Sequence, residues 1–532
     1  MNHIELFAGC GGLSLGLETA GFELILANEL SPMAAETFAF NHMNVDFEKN
    51  TRTEKVFWIS SQFSRENITF RLRENPILAS GLEKEHVSDL VELNPSTEDL
   101  SRSLLIGSII DLNKILSKRN SKLKKQLCSG LGRGEVDLIS GGPPCQSFSL
   151  AGLRQHENER NQLPWEFAKF VKIVQPKMAL LENVSGILRP FKVDGKKHYA
   201  WHEIAKSFAK IGYIPFCLHV NAKFVGAAQN RPRFIMLSFR PDIFNKIGEK
   251  IEDLNLLKAL QISKKFFDQI RKGIEPEFGS IKYYEIEKDN AIFENEIFSR
   301  LKTHDFGNLV SVKSAIDDLR TARIAESDYV KVLNSTYKNH YKFKANKWKN
   351  HDPRNNNNKV KARFRIYQIM SKISKLENQE VSNFLKDGGS SSISIETLKS
   401  ISRYWILDMD GAKIIRPSAN TVLELLGKIY TKKRTQKALL ASLPAPAALS
   451  IPDDACHYHE SIASQRTLTV REMARIQSFP DWFEIKSKVT TGGNMRKFEV
   501  PQYTQIGNAV PPLLGVALGE VCRKLLEYAN EH

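Results

Sequence analysis

Short apolar runs alternate with glycine turns and helically spaced apolar positions at the start of this chain. His3 to Phe7 is an apolar run of strand length, followed by the glycine-rich turn Ala8-Gly9-Cys10-Gly11-Gly12. Leu13 to Ala20 repeats apolar residues at helical spacing, and Gly21 ends the pattern. Phe22 to Ala27 predicts a second strand, closed by Asn28-Glu29. Ser31-Pro32 then opens a helix, with the serine as N-cap and the proline at the first helical position. Strand, helix, strand in this order predicts a parallel sheet with right-handed crossovers.

The alternation breaks between residues 45 and 103, where polar sequence surrounds short apolar patches. This stretch reads as an insertion between the second and third strands. Leu104-Leu105-Ile106 resumes the pattern, and Val136–Ser140, Met178–Leu181 and Phe234–Ser238 predict further strands. Trp165–Val174 and Trp201–Ile211 predict helices between them. Past Arg240 the sequence turns rich in Lys, Asn and Ser with weak periodicity, and regular α/β character returns near Thr467. The expected organisation is a large α/β domain over 1–240, a smaller variable domain over 241–483, and a segment over 484–532 that returns to the large domain.

The net charge of +16 changes the picture through its location. Residues 331–375 hold 13 Lys and Arg against one acid, Asp352, which is +12 of that total. Tyr337, Tyr341, Phe343, Trp348, Phe364 and Tyr367 interleave the same segment. Basic residues neutralise phosphates and aromatic ones touch bases, so the segment suits a nucleic acid. Six scattered cysteines form no CxxC pair, and Cys456-His457-Tyr458-His459 lacks a second ligand pair, so no metal site is expected. No apolar run is long enough to span a bilayer and no secretion signal is read. A cytoplasmic setting, free of membrane, is expected.

The candidate chemistry sits after the strand Val136–Ser140, in Gly141-Gly142-Pro143-Pro144-Cys145-Gln146-Ser147-Phe148-Ser149. Two prolines fix the backbone of this turn, and its glycines admit close approach. A thiol held there is a nucleophile when its thiolate is favoured, although a lone cysteine in a tight loop is commonly structural. The glycine turn at Phe7–Gly12 lacks both the P-loop lysine and the GxGxxG spacing. It still lies where an open α/β sheet binds ligands, and Glu29, at the end of the second strand, is placed to accept ribose hydroxyls.

Together these blocks resemble the cytosine-5 DNA methyltransferases of prokaryotic restriction–modification systems. The cysteine turn is similar to that family's catalytic motif, and Phe7–Gly12 to its cofactor motif. Glu182-Asn183-Val184, Gln229-Asn230-Arg231-Pro232-Arg233, Arg471–Pro480 and Gln505–Pro512 follow in the family's order. The resemblance implies a Rossmann-like S-adenosylmethionine-dependent methyltransferase core with a variable target-recognition domain, acting as a DNA (cytosine-5-)-methyltransferase. It implies Cys145, Glu182, Arg231 and Arg233 as catalytic residues. It implies Phe7, Ala8, Gly9, Gly11, Gly12, Glu29, Ser108, Ile109, Pro143, Asn508 and Ala509 around S-adenosyl-L-methionine. Gln146, Ser149, Arg160 and Gln229 are implied at the DNA. Double-stranded DNA is the expected partner of a monomer, with a restriction endonuclease as functional counterpart. An RNA (tRNA) cytosine-5 methyltransferase and a non-catalytic DNA-binding relative are the alternatives. Two departures stand out. The family often has an acid after the glycine that ends the third strand, where this chain has Ser108, with Asp111 further on. The insertion has no counterpart.

Overall fold

A computed structural model describes residues 1–49, 55–76, 87–92, 100–119, 121–144, 162–193, 196–408, 410, 413–431, 436–447, 455–458, 461–462 and 465–530. Among the described residues, twelve strands organise the first 285 positions. They are β1 (Asn2–Leu6), β2 (Glu23–Glu29), β3 (Val56–Trp58), β4 (Ser103–Ile106), β5 (Leu138–Gly141), β6 (Met178–Val184), β7 (Pro190–Val193), β8 (Lys196–Tyr199), β9 (Ile214–Asn221), β10 (Gln229–Asn230), β11 (Pro232–Phe239) and β12 (Tyr283–Glu285). Nine of them form one sheet in the order β12-β9-β11-β6-β5-β1-β2-β4-β3. The run from β6 to β3 is parallel, and β11 lies antiparallel between β6 and β9. Reversal of strand order about β1 opens a ligand cleft at the carboxyl ends.

The expected strands and first helices form close to their predicted limits: α1 spans Gly12–Thr19 and α2 spans Pro32–Met43. β9 was not predicted, and it is a full eight-residue strand buried in the sheet. The insertion is not a detached loop. Its β3 adds a parallel edge strand beyond β4, and Ile59 continues the pairing by donating its N–H to the Ile106 carbonyl at 2.8 Å.

The large-lobe core runs past the expected boundary at residue 240. Ile243, Leu256, Phe266, Phe293 and Leu301 belong to the same buried cluster as Ile4 and Leu138, and β12 joins the sheet. A helix over Leu254–Arg271 carries this extension, because its apolar residues fall on one face against β9. The C-terminal helix Pro512–Asn530 packs into the large-lobe core. It crosses α1 where Gly16 meets Gly515, and a Cβ on Gly16 would lie 2.3 Å from the Gly515 carbonyl carbon. Only glycine at this crossing lets the two backbones touch.

Two further cores build the smaller lobe. One gathers Val312, Leu319, Leu333, Leu468, Met473, Phe479 and Phe483 with Leu15 of α1, forming a seam between lobes. The other is a cluster over Ala362 to Ile429, closed by Cys456. Arg471 and Arg475 are wholly buried in the seam. Arg471 donates to the carbonyls of Lys349, Pro480 and Phe483, and Arg475 pairs with Asp318 and Asp481. Glu472 completes a capping box with Thr469 and pairs with Arg466. These motif residues therefore hold the lobe together.

Candidate active site

The register of β6 against β11 builds the first half of the site. Arg233 lies opposite Val184 and Ile235 opposite Glu182, so Arg233 and Glu182 are diagonal neighbours on one face. Their side chains meet, with Arg233 Nε 2.5 Å from Glu182 Oε1, and both residues are buried. Burial disfavours the Arg233 charge and lowers its pKa, while Glu182 works to restore it. Arg231, two residues earlier on the same edge, is also buried. Its guanidinium donates to Gly507 O at 2.8 Å and Ala447 O at 3.2 Å. Arg231 thus ties the large lobe to the returning terminal motif.

The turn that leads to the cysteine lies directly on Glu182. A Cβ built on Gly142 would sit 2.8 Å from Glu182 Oε2, so a side chain there would displace the carboxylate. Asn183 donates its amide to Pro143 O at 2.8 Å, anchoring the same turn. Cys145 follows within two residues, but Cys145, Gln146, Ser149 and Arg160 lie outside the described residues. Pro143 is buried with its carbonyl taken by Asn183.

The second half lies at the ends of β1, β2 and β4. Phe7 has φ 56, an unusual value for a residue with a side chain, as the chain leaves β1. Glu29 accepts from Gly9 N at 2.7 Å and from Ser31 N at 2.8 Å. Its carboxylate thereby fixes the glycine turn, and burial raises its pKa. The terminal motif closes over this turn: Val510 O and Ala509 Cβ stand against Gly12, while Ala8 is buried beneath and Asn508 is exposed.

Ser108 and Ile109 take structural places. Ser108 Oγ caps the helix Ile109–Leu116 by accepting from Ile110 N at 3.2 Å, and Ile109 enters the core. Asp111 is paired with Lys114 at 3.0 Å. Gln229, expected at the DNA, is wholly buried between the lobes, its amide donating to Pro446 O at 3.2 Å. The reason is β10, which pairs with the strand Ala445–Pro446 of the smaller lobe.

The basic segment divides in two. Lys338, Lys342, Lys344, Lys349, Lys359, Lys372 and Lys375 are exposed. Arg363 and Arg365 are buried and serve the carbonyls of Ile429, Tyr430 and Trp405. Among the interleaved aromatics Tyr337, Phe364 and Tyr367 are also buried, and only Trp348 is exposed. Half of the aromatics expected to touch bases are core residues.

Sequence reading missed a buried polar group under the glycine turn. Glu18 of α1 meets His42 Nδ1 at 2.8 Å, Arg102 Nη2 at 2.8 Å and His340 Nε2 at 3.0 Å. His42 Nε2 in turn lies 3.1 Å from Gly11 O. An acid in an apolar helical face opposite two histidines is a signal, but its partners come from three distant segments. Among the described residues no group of three His, Cys, Asp or Glu is arranged to hold a metal, and no helix is long and apolar enough to cross a membrane.

The open sheet with its strand-end cleft is a Rossmann-like methyltransferase core. The family model for C-5 cytosine-specific DNA methylases matches residues 1–66 and 112–524, and the chain belongs to that family. The unmatched stretch falls largely in the insertion. Type II methyltransferase M.DdeI of Desulfomicrobium norvegicum is 26% identical over 524 residues, spanning 98% of this chain and 88% of that protein. Type II methyltransferase M.NgoPII of Neisseria gonorrhoeae is 31% identical over 258 residues, 48% of this chain and 53% of that protein. The solved S. pombe Dnmt2 methyltransferase aligns over 100% of both chains with TM-score 0.42 and 12% identity.

Proposed function

We propose that this chain methylates carbon 5 of a specific cytosine in double-stranded DNA, by adding the Cys145 thiolate to ring carbon 6. The observation that carries this reading is the contact of Gly142 with Glu182, which brings the turn before Cys145 onto the Glu182–Arg233 pair. Carbon 5 of cytosine is a weak nucleophile, and thiolate addition at carbon 6 converts the ring to an enamine. Glu182 holds a proton at ring N3, which drains charge as the thiolate adds. Arg233 orients the ring through its carbonyl oxygen. Arg231 keeps the lobes in register around the base. A target inside a duplex must be flipped out to reach this site.

S-adenosylmethionine, when bound, supplies an electrophilic methyl group. The strand-end cleft fits it: Glu29 is held at the end of β2 for ribose hydroxyls, and Phe7, Gly9, Gly11 and Gly12 shape the turn beside it. Ala509 and Asn508 approach from the terminal motif. Gln146, Ser149 and Arg160 are assigned to the DNA, together with the exposed lysines of the 331–375 segment. The full-length relatives carry type II methyltransferase names. By that likeness the chain serves a restriction–modification system in the cytoplasm.

Transfer of a labelled methyl group tests the reading. Label is expected in duplex DNA, where bisulfite sequencing then locates one target sequence. Label in tRNA alone, or none in either, contradicts it.

A further inference from the structure

We propose that His42 of α2 is a positioning residue for the methylation reaction, holding the Gly11 carbonyl so that the glycine turn keeps the shape its ligand meets. This rests on the reading that the turn takes S-adenosylmethionine. The His42 ring is buried, with Nδ1 2.8 Å from Glu18 Oε2 and Nε2 3.1 Å from Gly11 O. A carboxylate and a carbonyl both accept, so both ring nitrogens donate and each carries a proton. Glu18 is ionised in this setting. Burial alone would push its pKa up, but the hydrogen bonds from His340 and His42, with the Arg102 charge, hold it well below the ordinary carboxylate range. Arg102 Nη2 and His340 Nε2 both meet Glu18 Oε1, at 2.8 and 3.0 Å, which leaves Oε2 to His42.

The ring has little freedom to turn away. Phe38 stacks on it with centroids 4.5 Å apart, and Phe483 meets it in a T-shaped contact at 6.0 Å. Arg102 Nε donates to the His42 backbone carbonyl at 3.0 Å. A Cβ built on Gly11 would lie 2.3 Å from Nε2, so the ring is seated directly on the turn. Gly11 is a place where such a brace matters. It has φ 94 and caps α1 without a side-chain hydrogen bond. Its carbonyl accepts from Leu15 N at 2.9 Å, and His42 fills the second lone pair. The Gly11–Gly12 peptide is planar and trans, so fixing its oxygen also fixes the Gly12 N–H, which points the opposite way, out of the first helical turn. Glu29 holds the turn at Gly9 N, and His42 holds it at Gly11 O.

Two amide variants of the full chain separate the ring's two bonds. The side-chain amide of His42→Gln reaches the place of Nε2 and keeps a donor for Gly11 O. That of His42→Asn reaches only the place of Nδ1 and keeps a donor for Glu18. Calorimetric titration with S-adenosylhomocysteine should show His42→Gln within about threefold of the parent and His42→Asn weakened about tenfold or more. In methylation assays His42→Asn should raise KM for S-adenosylmethionine by the same factor, with KM for duplex DNA unchanged. Phe38→Leu loosens the packing but leaves both ring bonds, so it should lower the thermal unfolding temperature without changing the affinity. A role confined to packing and charge pairing predicts the reverse order, with His42→Asn the better variant. That order, or equal affinities in the two variants, overturns the proposal while leaving the methyl donor in place. An affinity that falls in Phe38→Leu as far as in His42→Asn also overturns it. Failure of the parent to bind S-adenosylhomocysteine overturns the donor reading, and this proposal with it.

Discussion

Arg231 donates to the carbonyl of Gly507 across 276 positions of chain, at 2.8 Å and out of reach of solvent. Its second bond, to Ala447, makes it a clamp between the catalytic sheet, the smaller lobe and the terminal motif. Burial, with Arg233 nearby, holds its pKa well below the usual guanidinium range. Arg231→Ala leaves two buried carbonyls without a donor. Urea unfolding should show a loss of about 2–4 kcal/mol, and Arg231→Lys, which keeps one donor, a smaller loss.

The counter-charge that Glu182 supplies to Arg233 and the catalytic role proposed for it separate experimentally. Glu182→Gln leaves the Arg233 charge buried without its counter-charge, costing about 3 kcal/mol in unfolding measurements. As a proton holder it should also cost roughly 10²–10⁴-fold in the methylation rate. Binding of S-adenosylhomocysteine by the folded variant should be unaffected, because Glu29 and the glycine turn it holds lie elsewhere.

Glu5 predicts a pH dependence. It is buried on β1, and desolvation raises its pKa from 4.5 to about 8 against the opposing hydrogen bond from Ser14. The folded group keeps its proton between these values while the unfolded group has lost it. Stability is therefore undiminished below pH 4.5 and falls as pH rises toward 8. Glu5→Gln should stabilise the protein at pH 8, on the order of 3 kcal/mol, with no gain at pH 4.5. Thermal unfolding of both chains across this range checks it.

The basic segment predicts a division of labour. Lys342→Ala and Lys344→Ala, at exposed positions, should each reduce the slope of log affinity against log salt by about one, across DNA sequences alike. Arg363→Ala should instead destabilise the smaller lobe, because Arg363 Nε holds the Ile429 carbonyl at 2.6 Å inside its core. Fluorescence anisotropy and thermal unfolding distinguish the two effects.

Local pattern carried the catalytic sheet. β1, β2 and β6 are apolar runs bounded by turns, so periodicity exposes them, and the family motifs sit at their ends. β9 escaped because a helix and a glycine turn precede a strand with no distinguishing alternation. The Glu182–Arg233 pairing depends on the β6–β11 register, a tertiary fact that an ordered motif list only suggests. Gln229 and Ser108 look like contact residues in sequence, yet one is consumed by the lobe seam and the other by a helix cap. Buried arginines are the least legible. Arg363 reads as surface charge until the carbonyls it serves, some 66 positions away, are known.

The central claim, a covalent bond from Cys145 to the target base, is tested most directly with duplex DNA carrying 5-fluorocytosine at the target. The fluorine blocks the final elimination and should trap the adduct after methyl transfer. The expected result is a denaturation-resistant protein–DNA complex that requires S-adenosylmethionine, maps to Cys145 by mass spectrometry, and is absent with Cys145→Ser. A complex that forms equally with Cys145→Ser, or full methylation by that variant, would contradict the account.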